Sequence, residues 1–175
     1  MSRMFLAVLA IALAVIVFAA NASAKMQITS SAFAKGALIP SKYTCDGQMP
    51  PNPPLAFSGV PAKAQSLVVI MEDPDVPKNL MPSGVFDHWL VWDISPTSKG
   101  IKEGDSAQGI NGMGKPGYVG PCPPDREHRY FFHLYALDAK LSGAKITNRK
   151  ELEDAMKGHV IGQADLMGRY NKMKK

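Results

Sequence analysis

Residues 117–137 read GYVGPCPPDREHRYFFHLYAL, a stretch that changes character halfway along. Its first eight positions hold three prolines and two glycines. Proline presets φ and removes a backbone donor, while glycine admits conformations closed to other residues, so 117–124 reads as a shaped loop outside any ladder. From His128 onward the aromatic and aliphatic residues suit a strand. Period-two placement sets His128, Tyr130, Phe132 and Leu134 on one face and Arg129, Phe131 and His133 on the other. His128 and Tyr130 therefore point together, at the end of a strand and beside a stiff loop. Taken singly, either could be an ordinary buried polar residue, and the rest of the chain decides.

Working outward, two more strands stand out at 66–72 and 88–94, rich in Val, Ile, Leu and Trp and bounded by Pro, Gly or Asp. Shorter strand material lies at 26–31 and 33–37. Residues 39–54 read as an irregular connection. The span 95–124 is dominated by Gly, Pro, Ser and Asn and is too long for an idle loop in a compact domain. Only the last quarter looks helical. Asn148 with Glu151 forms a capping box, and Leu152, Ala155, Met156, His159, Val160, Gln163 and Met167 recur at three- and four-residue spacing. Gly158 and Gly162 leave open whether this is one helix or two. Strands first and helices last predict a mainly β, α+β fold: an antiparallel sheet core with peripheral and C-terminal helices.

The N-terminus carries Arg3, an apolar run over 4–20 and then Ala22-Ser23-Ala24, the order of a secretory signal with cleavage after Ala24. The apolar run is at the short limit for spanning a bilayer. We therefore expect residues 1–24 to be a signal peptide and 25–175 a single domain, exported to the periplasm or beyond, with no stable membrane span after cleavage. Losing Arg3 lowers the formal charge of +5 by one. The remaining lysines are scattered, with neither a basic stripe nor a reading helix, which argues against nucleic acid as a partner. An oxidising compartment permits Cys45 and Cys122 to pair, and we expect that bridge, although their positions alone do not show that they meet.

Each strong strand meets a polar cluster. Residues 66–72 run into Asp73-Pro74-Asp75-Val76-Pro77, 88–94 opens with His88, and 129–137 follows His128. The runs EDPDVP (72–77), FDHWLVWDI (86–94) and the opening stretch, in that order, resemble the phosphatidylethanolamine-binding protein family. YTCDG (43–47), PPLAFSGVP (53–61) and AMKGHVIGQADLMGRY (155–170) resemble its bacterial, Raf-kinase-inhibitor-like branch. The similarity spans nearly all of 25–175. It implies a sandwich-like β fold with peripheral helices and a small pocket for an anionic head group such as phosphate or phosphorylethanolamine. Carried over residue by residue, the ligand-binding positions are Asp73, Pro77, His88, Gly120, His128 and Tyr130. Phe86 stands where many relatives carry Trp. Asp125-Arg126-Glu127 fills a segment where relatives usually place a glycine, and whether Arg126 or Glu127 faces the pocket stays open.

The residues support an anion pocket independently of the resemblance, because imidazole and phenol donate to oxyanions while a carboxylate orients a histidine or accepts from a ligand ammonium group. The expectation is a non-catalytic binding protein without a cofactor, whose ligand is a small anion or a phospholipid head group. Alternatives are a regulator or inhibitor of a protein partner such as a protease, a metal site built from two histidines and one aspartate, and a hydrolase using Ser83. The last lacks a nucleophile elbow or an oxyanion-hole signal. Assembly as a homodimer stays open.

Overall fold

A computed structural model describes residues 25–105 and 109–172. The signal sequence expected over 1–24 lies outside the described residues. Among the described residues no helix is long and apolar enough to cross a membrane.

The three stretches with the clearest strand character form the heart of a four-stranded antiparallel sheet. Its members are β3 (Ser66–Asp73), β4 (Phe86–Ile94), β6 (His128–Leu137) and β7 (Val160–Tyr170), in the order β4-β3-β6-β7. A smaller antiparallel sheet, in the order β1-β2-β5, joins β1 (Gln27–Thr29), β2 (Leu55–Ser58) and β5 (Gly100–Ile101). The sequence patterns point to β1 but not to β2 or β5, whose few residues carry too little alternation to register.

β3 is apolar almost throughout because both of its faces are covered. Leu67, Val69 and Met71 join Trp89, Val91, Tyr130, Phe132 and Leu134 in a core shared with Ile28 and Phe57 of the small sheet. Val68 and Ile70 face the other way, packing with Leu90, Leu137, Leu152 and Met156. The last two belong to the one α-helix among the described residues, α1 (Arg149–Met156). Burial of each large side chain in these cores contributes on the order of 1.5–3 kcal/mol. The expected cap is present: Asn148 Oδ1 accepts from the Glu151 N–H at 3.0 Å, and Glu151 reaches back to the N–H of Thr147 at 2.7 Å.

Two sequence expectations need correction. The helical pattern does not continue past α1. Gly158 turns the chain at φ +83°, and 160–170 returns as a strand paired along β6, with Phe131 opposite Met167 and His133 opposite Asp165. The last element among the described residues is therefore a strand, not a helix. The alternation of β7 escapes notice because its core-facing positions include Gly162, Ala164 and Gly168, which carry little or no apolar signal. Gly168 is small by necessity, since a Cβ there would lie 2.6 Å from Ile39 Cγ1 and 2.8 Å from Phe33 Cε2. Residues 33–37, expected as strand, instead start a strap over the outer edge of β7. Gly36 N–H donates to Met167 O at 2.7 Å, and Arg169 N–H donates to Ala37 O at 2.9 Å.

Candidate ligand-binding pocket

Because β3 lies between β4 and β6, its C-terminal end carries Asp73 to the ends of both neighbours. Asp73 pairs with Phe86 across β3 and β4. Its side chain is tied twice: Oδ1 accepts from the Asp75 N–H at 2.9 Å, closing an Asx turn, and Oδ2 accepts from His128 Nδ1 at 2.7 Å. The turn is anchored further by Asp75, whose carboxylate takes a bidentate pair from Arg129 on β6 at 2.8 and 2.7 Å. Those guanidinium hydrogen bonds hold the Asp75 pKa down to about 2.

His88 enters the same corner from β4. Its Nδ1–H donates to the Val119 carbonyl at 2.8 Å, and the Val119 N–H donates back to His88 O at 3.1 Å. This reciprocal pair fastens the proline-rich loop to the sheet. Burial lowers the His88 pKa to about 4, outweighing the Val119 carbonyl and the Asp73 carboxylate, which favour the charged form. His88 is thus a neutral imidazole with Nδ1 protonated and the Nε2 lone pair free to accept. Phe86 and Tyr130 meet its ring edge-on at 4.8 and 5.2 Å.

The loop is secured at three further points. Cys45 and Cys122 form the expected disulfide, the Cys45 N–H donates to Pro121 O at 3.0 Å, and Tyr118 Oη donates to Tyr43 O at 2.7 Å. Gly120 packs so closely on the backbone of the 43–45 segment that a Cβ would lie 2.8 Å from Tyr43 O and 2.9 Å from Thr44 Cα. The Gly120 and Cys122 N–H groups meet no acceptor among the described residues.

Between these elements lies a cavity of about 300 Å³ lined by Asp73, Val76, Leu80, Phe86, His88, Val119, Gly120, Cys122 and Pro124. A larger hollow of about 670 Å³ between β1 and β7 is bounded mostly by 25–30 and 163–166. It contains none of the converging buried polar groups, so the smaller cavity is the better candidate.

Of the six positions carried over from the resemblance, Asp73, His88 and Gly120 line this cavity. Tyr130 stands behind it, fully buried, and its hydroxyl has no hydrogen-bond partner among the described residues. Burial, reinforced by the nearby Asp73 carboxylate, raises its pKa and keeps the hydroxyl a donor. Pro77 lies outside the lining and serves the turn after β3, its carbonyl accepting from Leu80 and Met81. His128 is also behind the wall, with Nε2 hydrogen-bonded to Asp125 Oδ1 at 2.8 Å, so neither ring nitrogen is left for a ligand. Asp125 is the member that sequence reasoning missed; the hydrogen bond from His128 holds its pKa low. Neither Arg126 nor Glu127 lines the pocket: Arg126 pairs with Asp125, and Glu127 pairs with Arg169.

With His128 engaged on both sides, the two-histidine, one-carboxylate metal arrangement is not assembled. Ser83 sits apart, its hydroxyl donating to Val85 O at 3.0 Å within its own turn.

The family model for phosphatidylethanolamine-binding protein matches residues 29–171. The chain belongs to the phosphatidylethanolamine-binding protein family. Among its relatives, a UPF0098 protein of Chlamydia pneumoniae is 51% identical over 150 residues, covering 84% of this chain and 99% of the relative. One from Methanothermobacter thermautotrophicus is 43% identical over 156 residues, covering 84% and 99%. A phosphatidylethanolamine-binding protein homolog from Chlamydia trachomatis superposes with a TM-score of 0.81 at 47% identity, over 85% of this chain and 99% of that one. Escherichia coli YbcL shares the fold, with a TM-score of 0.70 at 24% identity, over 86% of this chain and 100% of its own.

Proposed function

We propose that the protein is an exported, non-catalytic binding protein whose pocket takes a phosphate or phosphorylethanolamine-type head group. The observation that carries this reading is the convergence of the Asp73 carboxylate, the His88 imidazole and the Gly120 and Cys122 backbone on one cavity of about 300 Å³. The unpaired N–H groups of Gly120 and Cys122 supply donors of the kind that bind oxyanions without a cationic side chain. Asp73 supplies the acceptor that the ammonium of a zwitterionic head group needs. The signal-like N-terminus and the disulfide support an extracytoplasmic setting.

The test is calorimetric titration of the purified mature chain with orthophosphate and with phosphorylethanolamine. Saturable 1:1 binding, weakened roughly tenfold by His88→Ala, is expected. No heat from either ligand would refute the reading.

A further inference from the structure

The pocket contains no lysine or arginine: apart from backbone and apolar groups, its wall offers a carboxylate and an imidazole. Asp73 accepts from His128 and from the Asp75 N–H, but a carboxylate has about four lone-pair sites, so acceptor capacity remains. His88 has committed Nδ1–H to the Val119 carbonyl, which leaves Nε2 as an acceptor on a ring that burial keeps neutral. Arg126 and Arg129, the nearest guanidiniums in sequence, are each occupied by an aspartate. An oxyanion that only accepts would face Asp73 and the His88 lone pair without a counter-charge. One that retains a proton can donate to either while its other oxygens accept from the Gly120 and Cys122 backbone.

Resting on the anion reading above, we propose that the pocket selects phosphorus oxyanions that keep an acidic P–OH, namely orthophosphate and phosphomonoesters. It rejects sulfate and phosphodiesters, including the phosphodiester linkage of an intact phospholipid head group. The discrimination comes from Asp73 and His88 as acceptors: they gain a hydrogen bond from P–OH and are left facing a bare oxyanion otherwise. Sites built to hydrogen-bond a ligand hydroxyl reject analogues lacking it far more strongly than shape alone can.

The experiment compares four ligands by calorimetry at about pH 5.5, where monoesters are largely singly protonated. They are orthophosphate, phosphorylethanolamine, sulfate and glycerophosphoethanolamine, the last a soluble diester that stands for the lipid source. Phosphate and the monoester should bind at least about tenfold more tightly than sulfate and the diester. In Asp73→Asn, whose amide can donate, the gap should close as sulfate gains. Sulfate or the diester binding as tightly as phosphate in the unaltered protein would overturn the selectivity while leaving the anion pocket intact. Binding of none of the four would overturn the anion pocket itself. A gap that survives in Asp73→Asn would remove Asp73 from the assignment, and if that variant does not fold, the four-ligand comparison on the unaltered chain decides alone.

Discussion

His88 and Val119 hold each other by two hydrogen bonds, at 2.8 Å from ring to carbonyl and 3.1 Å from amide to carbonyl. A strand residue and a loop residue thereby move as one, and the imidazole is committed to a single tautomer.

The first prediction follows from that commitment. With its pKa lowered to about 4, His88 should show a neutral, Nδ1-protonated ring by nitrogen NMR across about pH 5.5–8. Because the folded value lies below the unfolded one, the unfolded chain binds more protons between them. Stability contributed by His88 neutrality is full above about pH 6.5 and is lost as pH falls toward about 4, by on the order of 3 kcal/mol. His88→Gln should flatten that part of the pH–stability curve. An imidazolium signal at pH 6 would contradict the assignment.

His133 should act in the opposite sense. Burial alone would lower its pKa, but Glu72 at 3.4 Å and Asp165 at 2.6 Å prevail and raise it. Its contribution is present below the unfolded pKa of about 6.5 and is lost as pH rises through the raised folded value. Chemical denaturation of the unaltered chain and of His133→Gln should therefore differ most near about pH 5.5 and converge toward about pH 8.5, roughly 1.5 units either side of neutrality. A gap that grows with pH would defeat this account.

Removing the His128 side chain should destabilise strongly. Its ring is fully buried against Asp73, and deleting one partner strands the other, at about 3–5 kcal/mol. Asp125→Ala should cost far less, because that carboxylate is substantially exposed. Urea unfolding of the two variants should separate them clearly; equal losses would mean that Asp125, not Asp73, is the principal partner.

Reduction of Cys45–Cys122 should lower stability and ligand affinity together. The bridge closes a loop of 77 residues, worth roughly 4–5 kcal/mol in the chain-entropy model. It also ties down Cys122, which is itself part of the pocket lining. Melting and phosphate titration with and without reductant provide the check. Unchanged affinity after complete reduction would assign the loop's rigidity to its prolines and to the His88–Val119 pair.

Legibility in the sequence followed the strength of the local signal. β6 could be read because its alternation is carried by large side chains, with His128, Tyr130 and Phe132 facing one core. β7 could not, because glycine and alanine occupy core-facing places and α1 ends only a few residues upstream, so a helical period ran on into a strand. In the pocket, Asp73 and His88 were recognisable from motifs that end and begin strong strands. The difference between facing the cavity and standing behind it, which separates His88 from His128, depends on how three strands converge and has no sequence signature. Asp125 was invisible as a partner of His128 for the same reason, being one more charged residue in a proline-rich bend.

The strap over 36–39 has a consequence beyond its packing. β7 ends its sheet, and an open sheet end is a template on which foreign chains can add strand after strand. By spending its own backbone on Met167 and Arg169, the strap denies that template to other molecules along the last turns of β7. The protein thereby carries its own guard against fibre growth.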